Sequence, residues 1–218
     1  MKKYDIILFD LDGTLTDPER GLVSGFVYAL TKMGISKERH GDLRRFIGPP
    51  LYEEWQSEFG FSAEESAHAI DVFREYYDIY GWWDNELYVG IPEMLKSLKE
   101  NGKIIALATS KPEITARRVL DLFGLTQYFD FIAGAVSGTD RHRKAQVIDY
   151  CLKSLNVGAD TSHVILVGDR KYDSEGAAEC GIDSLGVLWG HGTVSELSNC
   201  GFTYIDKTPD DVLKRLLK

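Results

Sequence analysis

The sequence predicts an α/β protein, a doubly wound parallel sheet broken by an inserted α-helical domain. Three observations carry this. Short apolar runs such as Ile6-Ile7-Leu8-Phe9 and Ile104-Ile105-Ala106-Leu107-Ala108 read as strands buried on both faces, and after residue 86 they alternate regularly with helical segments. From Gly34 to about Gly81 there is no convincing strand. Several of the strands end in polar or acidic residues, as they do where open α/β sheets bind ligands.

Taken in order, the first strand leaves the sheet through Asp10, Asp12 and Gly13. Asp17 reads as a helix cap with Pro18 at the first helical position; Leu22, Phe26 and Leu30 repeat every four residues, and Gly34 is the stop. Leu43 to Ile47 looks helical and breaks at Gly48-Pro49-Pro50; Leu51 to Phe59 resumes, and Ser62 with Glu65 makes a capping box for a helix reaching Tyr80. We therefore expect a cap domain over 17–85 and a core over 1–16 and 86–218. In the core, Ile91-Pro92 opens a helix that ends at Asn101-Gly102, and the second strand follows. Pro112-Glu113 begins a helix closed by Gly124, Phe129 to Ala133 is the third strand, and Lys144 to Leu155 a helix. His163 to Val167 is the fourth strand, Ala177 to Cys180 belongs to a short helix stopped by Gly181, and Leu185 to Leu188 is the fifth strand. Thr193 with Glu196 and Thr208 with Asp211 cap two last helices.

The formal net charge of -9 argues against a nucleic-acid polymer or an anionic membrane as partner. Lys2 and Lys3 precede a stretch too short and too acidic for a signal peptide or a membrane span. Cys151, Cys180 and Cys200 are odd in number and lack metal-ligand spacing, so reduced thiols in the cytoplasm are expected. His40, His68, His142, His163 and His191 form no ligand pair.

The chemistry lies in the strand exits. Asp10 and Asp12 repel each other unless a cation sits with them or one keeps its proton, and both conditions suit phosphoryl transfer. One carboxylate would attack phosphorus, the other would shuttle a proton, and Mg2+ would offset the charge. Thr109 and Ser110 offer a hydroxyl and backbone N–H groups to phosphate oxygens, beside Gly13. Lys144, a cation at a helix N-terminus, opposes the macrodipole unless an anion meets it, and would hold Asp10 and the phosphate together. Asp169 would complete a metal shell with Asp10 and the backbone carbonyl of Asp12, with Asp173 orienting or ligating. Each has a plainer reading: Thr109-Ser110 as a cap, Lys144 as a surface lysine, Gly168-Asp169 as a turn.

Together these residues resemble the haloacid dehalogenase superfamily over the whole chain, specifically its phosphatases with a helical (C1-type) cap, of the phosphoglycolate phosphatase-like kind. Phe9-Asp10-Leu11-Asp12-Gly13-Thr14-Leu15 matches the first motif, Ala108-Thr109-Ser110-Lys111-Pro112 the second, Lys144 the third and Val167-Gly168-Asp169-Arg170-Lys171-Tyr172-Asp173 the fourth. Ala145 stands where the family often has proline after its lysine. The resemblance implies Asp10 as nucleophile, Asp12 as general acid and base, Mg2+ as cofactor and a small phosphate monoester as substrate, in a monomer or weak homodimer. Dehalogenation is set aside because Asp12 is a carboxylate, and phosphonate hydrolysis because neither Lys32 nor Lys37 lies in a motif. Specificity falls to the cap: Arg45, with Arg44 beside it, would meet the rest of the substrate. Tyr76, Tyr77, Trp82 and Trp83 read either as core or as a platform for a nucleobase. A 5'-nucleotidase, a sugar-phosphate mutase and, from another class, a phospho-accepting regulatory domain are the alternatives.

Overall fold

Ile6–Phe9 form strand β1, every side chain of it buried, and the sheet is built outward from this strand. The computed structural model describes residues 2–49, 51–136 and 138–218. The chain divides into two compact units: one runs up to Asp17 and resumes at Leu87–Lys218, the other is Pro18–Glu86.

After β1 come β2 (Thr16–Asp17), helix α1 (Glu19–Lys32), α2 (Leu51–Phe59), α3 (Ala63–Tyr76) and β3 (Glu86–Leu87). The larger unit continues with α4 (Ile91–Glu100), β4 (Ile104–Pro112), α5 (Glu113–Leu122), β5 (Phe131–Ala135), α6 (Lys144–Ser154) and β6 (Val164–Gly168). It ends with α7 (Lys171–Glu179), β7 (Asp183–Val187), α8 (Val194–Asn199), β8 (Tyr204–Asp206) and α9 (Pro209–Leu216). Its sheet has the order β5-β4-β1-β6-β7-β8, and every pair is parallel. Phe9 pairs with Leu107 on one side and Val167 on the other. The residues that follow these three therefore leave one edge at one level, at the point where the chain, having laid β4 and β5 on one flank, crosses to the other.

Apolar residues of the three central strands, Ile6, Leu8, Ala106, Ala108, Val164 and Leu166, pack against Val147, Ile148 and Cys151 of α6. Burial pushes the Cys151 thiol up to about 12, and it donates to the Leu107 carbonyl at 3.4 Å. Cys151, Cys180 and Cys200 are all free.

In the smaller unit, α1 to α3 enclose an aromatic core in which Phe26 meets Phe46, Trp55 and Phe73, and Tyr77 stacks on Phe73. This settles the aromatic group in part: Tyr77 is core, Tyr76 lies against Tyr28 and Tyr80, Trp82 packs on the core's margin, and Trp83 is exposed. The capping box of Ser62 and Glu65 starts α3.

Several expected boundaries move, each for a local reason. Asp17 is no cap: it belongs to β2, and Pro18 takes the cap position without a side-chain bond. Leu43–Phe46 is a 3-10 turn, α3 gives way to a π turn over Tyr77–Gly81, and Pro50 of the predicted break lies outside the described residues. The third strand starts at Phe131 because the Asp130 carboxylate takes the N–H of Ile105, a group the ladder would otherwise use. β4 runs on to Pro112, beyond the Ala108 expected as its end, so Thr109 and Ser110 lie within the strand, where its register shifts. α7 begins at Lys171, where Asp173 accepts the Arg170 N–H. The expected elements do not include β8 or the β2–β3 ribbon, which are two or three residues long and mostly polar and so leave no apolar run.

Candidate active site

Asp10 extends β1 by one residue, its N–H donating to the Val167 carbonyl at 2.9 Å. Lys144, the first residue of α6, turns into the protein. Its Nζ lies 2.9 Å from Asp10 Oδ1 and 2.8 Å from Asp173 Oδ1, and donates to the Ala108 carbonyl at 3.1 Å. Burial alone would lower the pKa of this ammonium; the charges of Asp10 and Asp173 outweigh it and carry the net shift upward. The anion that a cation at this helix end requires is thus a pair of carboxylates. Gly176 makes the approach possible, since a Cβ there would fall 2.6 Å from Lys144 Cγ.

Asp169 and Asp173 are buried, and burial is the largest cause raising both carboxyls. Asp173 and Asp10 push Asp169 well up; Asp173 reaches about 6, with Lys144 pulling against the rise. Asp169 Oδ1 accepts from Thr14 Oγ1 at 3.3 Å and Oδ2 from the His191 N–H at 2.8 Å. One carboxylate oxygen each from Asp10, Asp169 and Asp173 lie within 4.8 Å of one another. Oδ1 of Asp10 and of Asp173, although close to Lys144, lack a well-aligned hydrogen bond, as does Asp12 Oδ1. Crowded hard oxygens with unused lone pairs fit a divalent cation such as Mg2+.

Asp12 sits in the turn after β1, where Gly13 has φ +80°. A Cβ at Gly13 would fall 2.2 Å from Asp169 Oδ2, so this turn and Asp169 approach as only glycine allows. Asp12 Oδ2 is 2.7 Å from Nζ of Lys111, whose side chain is buried. Thr109 Oγ1 accepts the Lys111 N–H at 3.2 Å, which leaves the hydroxyl proton for another acceptor. Ser110 is exposed. Arg45 belongs to the smaller unit, where it pairs with Glu58 at 2.5 Å and lies over Phe46; Arg44 pairs with Asp42.

The structure thus brings Asp10, Asp12, Gly13, Thr109, Lys144, Asp169 and Asp173 to one edge of the sheet. It adds residues the sequence reading gave no role: Lys111, Thr14, and the Trp189–Gly192 segment. Lys111 had a signal, because it stands in the second motif two residues beyond Thr109.

A carboxylate held by a buried lysine, a second one beside it in a separate ion pair, and an oxygen cluster fit for a cation are the working parts of a phosphoryl-transfer hydrolase. The haloacid dehalogenase-like hydrolase family matches residues 7–187, and the chain belongs to it. It is similar to a 5'-nucleotidase of Pseudomonas aeruginosa, 36% identical over 89% of this chain and 87% of that one. Tyrosine-protein kinase PtkA of Mycobacterium tuberculosis is 41% identical over 95% of this chain and 67% of its own length. Among solved structures, one described as a predicted phosphatase from Clostridium acetobutylicum superposes with a TM-score of 0.92 at 38% identity, covering 99% of each chain. The chain is accordingly an enzyme, a phosphatase-type hydrolase of this family. No helix among the described residues is long and apolar enough to cross a membrane.

Proposed function

We propose that this chain is a magnesium-dependent phosphatase that hydrolyses a small phosphate monoester through an aspartyl phosphate on Asp10. The observation that carries the reading is Lys144, buried between Asp10 and Asp173 beside Asp169.

Asp10 attacks phosphorus with a carboxylate oxygen, and the bond to the leaving oxygen breaks. The Asp12 carboxyl gives that oxygen its proton, then as carboxylate takes one from the water that cleaves the acyl phosphate. Thr109 donates its hydroxyl proton to a phosphate oxygen, with Ser110 and Gly13 alongside, while Lys144 holds Asp10 and meets the charge on the transferring group. Mg2+ held by Asp10, Asp169, Asp173 and the Asp12 carbonyl would supply charge neutralisation at phosphorus.

We read residues 17–85 as a cap that selects the substrate, Arg45 foremost, and the protein as a cytoplasmic monomer or weak homodimer. A phosphoglycolate-like monoester is the preferred substrate; the name of one relative, a 5'-nucleotidase, supports keeping nucleoside monophosphates among the candidates. The test is phosphate release from a panel of phosphoglycolate, sugar phosphates, nucleoside monophosphates and pyrophosphate, with and without Mg2+. Activity that needs Mg2+ and vanishes in a folded Asp10→Asn variant supports the reading, and an active Asp10→Asn variant refutes it. Isomerised sugar phosphate without release would assign a mutase; a phospho-Asp10 lasting many minutes in Mg2+ would assign a phospho-accepting regulator.

A further inference from the structure

We infer that Trp189-Gly190-His191-Gly192, the segment between β7 and α8, is a strap that positions Asp169 for the cation and so sets the chain's affinity for it. The inference rests on the metal reading proposed above. None of the sequence motifs includes these residues, and none of their side chains is offered as a metal ligand.

The contacts form a closed circuit. The indole Nε1–H of Trp189 donates to the Thr14 carbonyl at 3.0 Å, and the Thr14 hydroxyl donates to Asp169 Oδ1 at 3.3 Å. The backbone N–H of His191 donates to the other oxygen, Oδ2, at 2.8 Å. Thr14 and Asp169 are completely buried. One carboxylate thus has each oxygen held by a donor from a different piece of chain, and the strap itself ties those two pieces together.

The strap also lies hard against its target. A Cβ at Gly190 would fall 2.2 Å from the Gly13 carbonyl oxygen and 2.5 Å from Asp169 Cβ. One at Gly192 would fall 1.9 Å from the Asp169 carbonyl oxygen. Glycine at both positions lets the backbone touch Asp169, which is what puts the His191 N–H within reach. A carboxylate oxygen has two lone pairs, so each oxygen that accepts one of these bonds keeps another for a cation, in a plane that the two donors fix. Loss of one such outer contact lowers metal affinity by roughly 10- to 100-fold in comparable sites. Trp189, Thr14 and the glycines are therefore positioning residues: they act on the cation through Asp169.

The experiment is titration calorimetry of the full chain with Mg2+ alone, on wild type, Trp189→Phe, Thr14→Val, Thr14→Ser and Asp169→Asn, with thermal melts to certify folding. Trp189→Phe keeps the ring and removes the donor, and Thr14→Val removes the hydroxyl that Thr14→Ser retains. We expect Trp189→Phe and Thr14→Val to bind Mg2+ about tenfold more weakly. Thr14→Ser should stay near wild type, and the substrate KM at saturating Mg2+ should stay with it. If Trp189→Phe does not fold, the Thr14 pair decides. Wild-type affinity in Trp189→Phe and Thr14→Val, with binding lost in Asp169→Asn, overturns the strap and leaves the metal reading standing. No binding by wild type, or undiminished binding by Asp169→Asn, overturns the metal reading itself.

Discussion

Lys144 offers the severest test of how the site is held together, and replacing it by methionine keeps the length of the stem while deleting the charge. Two ion pairs vanish, at 2.9 Å to Asp10 and 2.8 Å to Asp173, in a place where the lysine is buried. Each is worth about 6 kcal/mol in gross attraction at an effective dielectric of about 20. Most of that repays the desolvation of the charges, and removing one partner of a buried pair costs about 3–5 kcal/mol net because the others stay behind uncompensated. Here two carboxylates are left with Asp169 beside them, so the upper half of that range is expected. In a chain of this size, about 2–4 °C of melting temperature goes with each kcal/mol, which gives a fall of roughly 10 °C or more. The assay is a pair of urea and thermal melts in chelator, at about pH 7.5 and about pH 5. The loss should shrink at the lower pH, where protonation relieves the stranded carboxylates, and Mg2+ should restore part of it at the higher. A Lys144→Met protein that melts within about 2 °C of wild type at both values would refute the reasoning.

Two further outcomes follow from the same cluster. Burial, together with repulsion from Asp173 and Asp10 on Asp169 and from Asp10 on Asp173, raises both carboxyls above their unfolded values, Asp173 to about 6, so the folded state binds more protons than the unfolded one. Their contribution is fullest below the ordinary carboxylate range and is lost as pH climbs through the folded values; the metal-free protein should lose stability between about pH 4 and 7, and saturating Mg2+ should flatten that fall in thermal melts. Gly13→Ala combines a φ of +80° with a Cβ 2.2 Å from Asp169 Oδ2, so it should destabilise the chain by about 2 kcal/mol or more and weaken Mg2+ binding in calorimetry; wild-type values for both would contradict the close approach described here.

What could be read from the sequence was whatever local chemistry announces. Ile6–Phe9 and Ile104–Ala108 are apolar runs that only a doubly covered sheet would use, and Ser62 with Glu65 or Thr208 with Asp211 mark helix starts by their own side chains. Asp10, Asp12, Asp169 and Lys144 were legible because each follows or faces a strand exit. The rest depends on partners far away in the chain. Tyr204–Asp206 is a strand only because β7 lies beside it. The role of Lys111 depends on an Asp 99 residues earlier, and that of Trp189 on a carbonyl 175 residues earlier. Spacing along the chain carries no trace of such pairs. The aromatic group from Tyr76 to Trp83 shows the converse: its composition suited a ring platform as well as a core, and only packing divided Tyr77 from Trp83.

The place of β1 at the middle of the sheet also bears on how the chain is made. Its four apolar residues precede in the chain both of the strands that flank them, Ile104–Leu107 and Val164–Val167. At about 5–20 residues per second, a ribosome takes roughly 10 s or longer to deliver the second of these. Until Ile104–Leu107 emerges this apolar strand, with Asp10 at its end, has neither edge paired, and until Val164–Val167 emerges one edge stays open. Between β1 and β4 the chain lays down Pro18–Glu86, which has its own aromatic core. Pairings so distant in sequence also close slowly after synthesis. An apolar strand whose two partners lie about 95 and 155 residues further on stays open to wrong pairing until they are delivered.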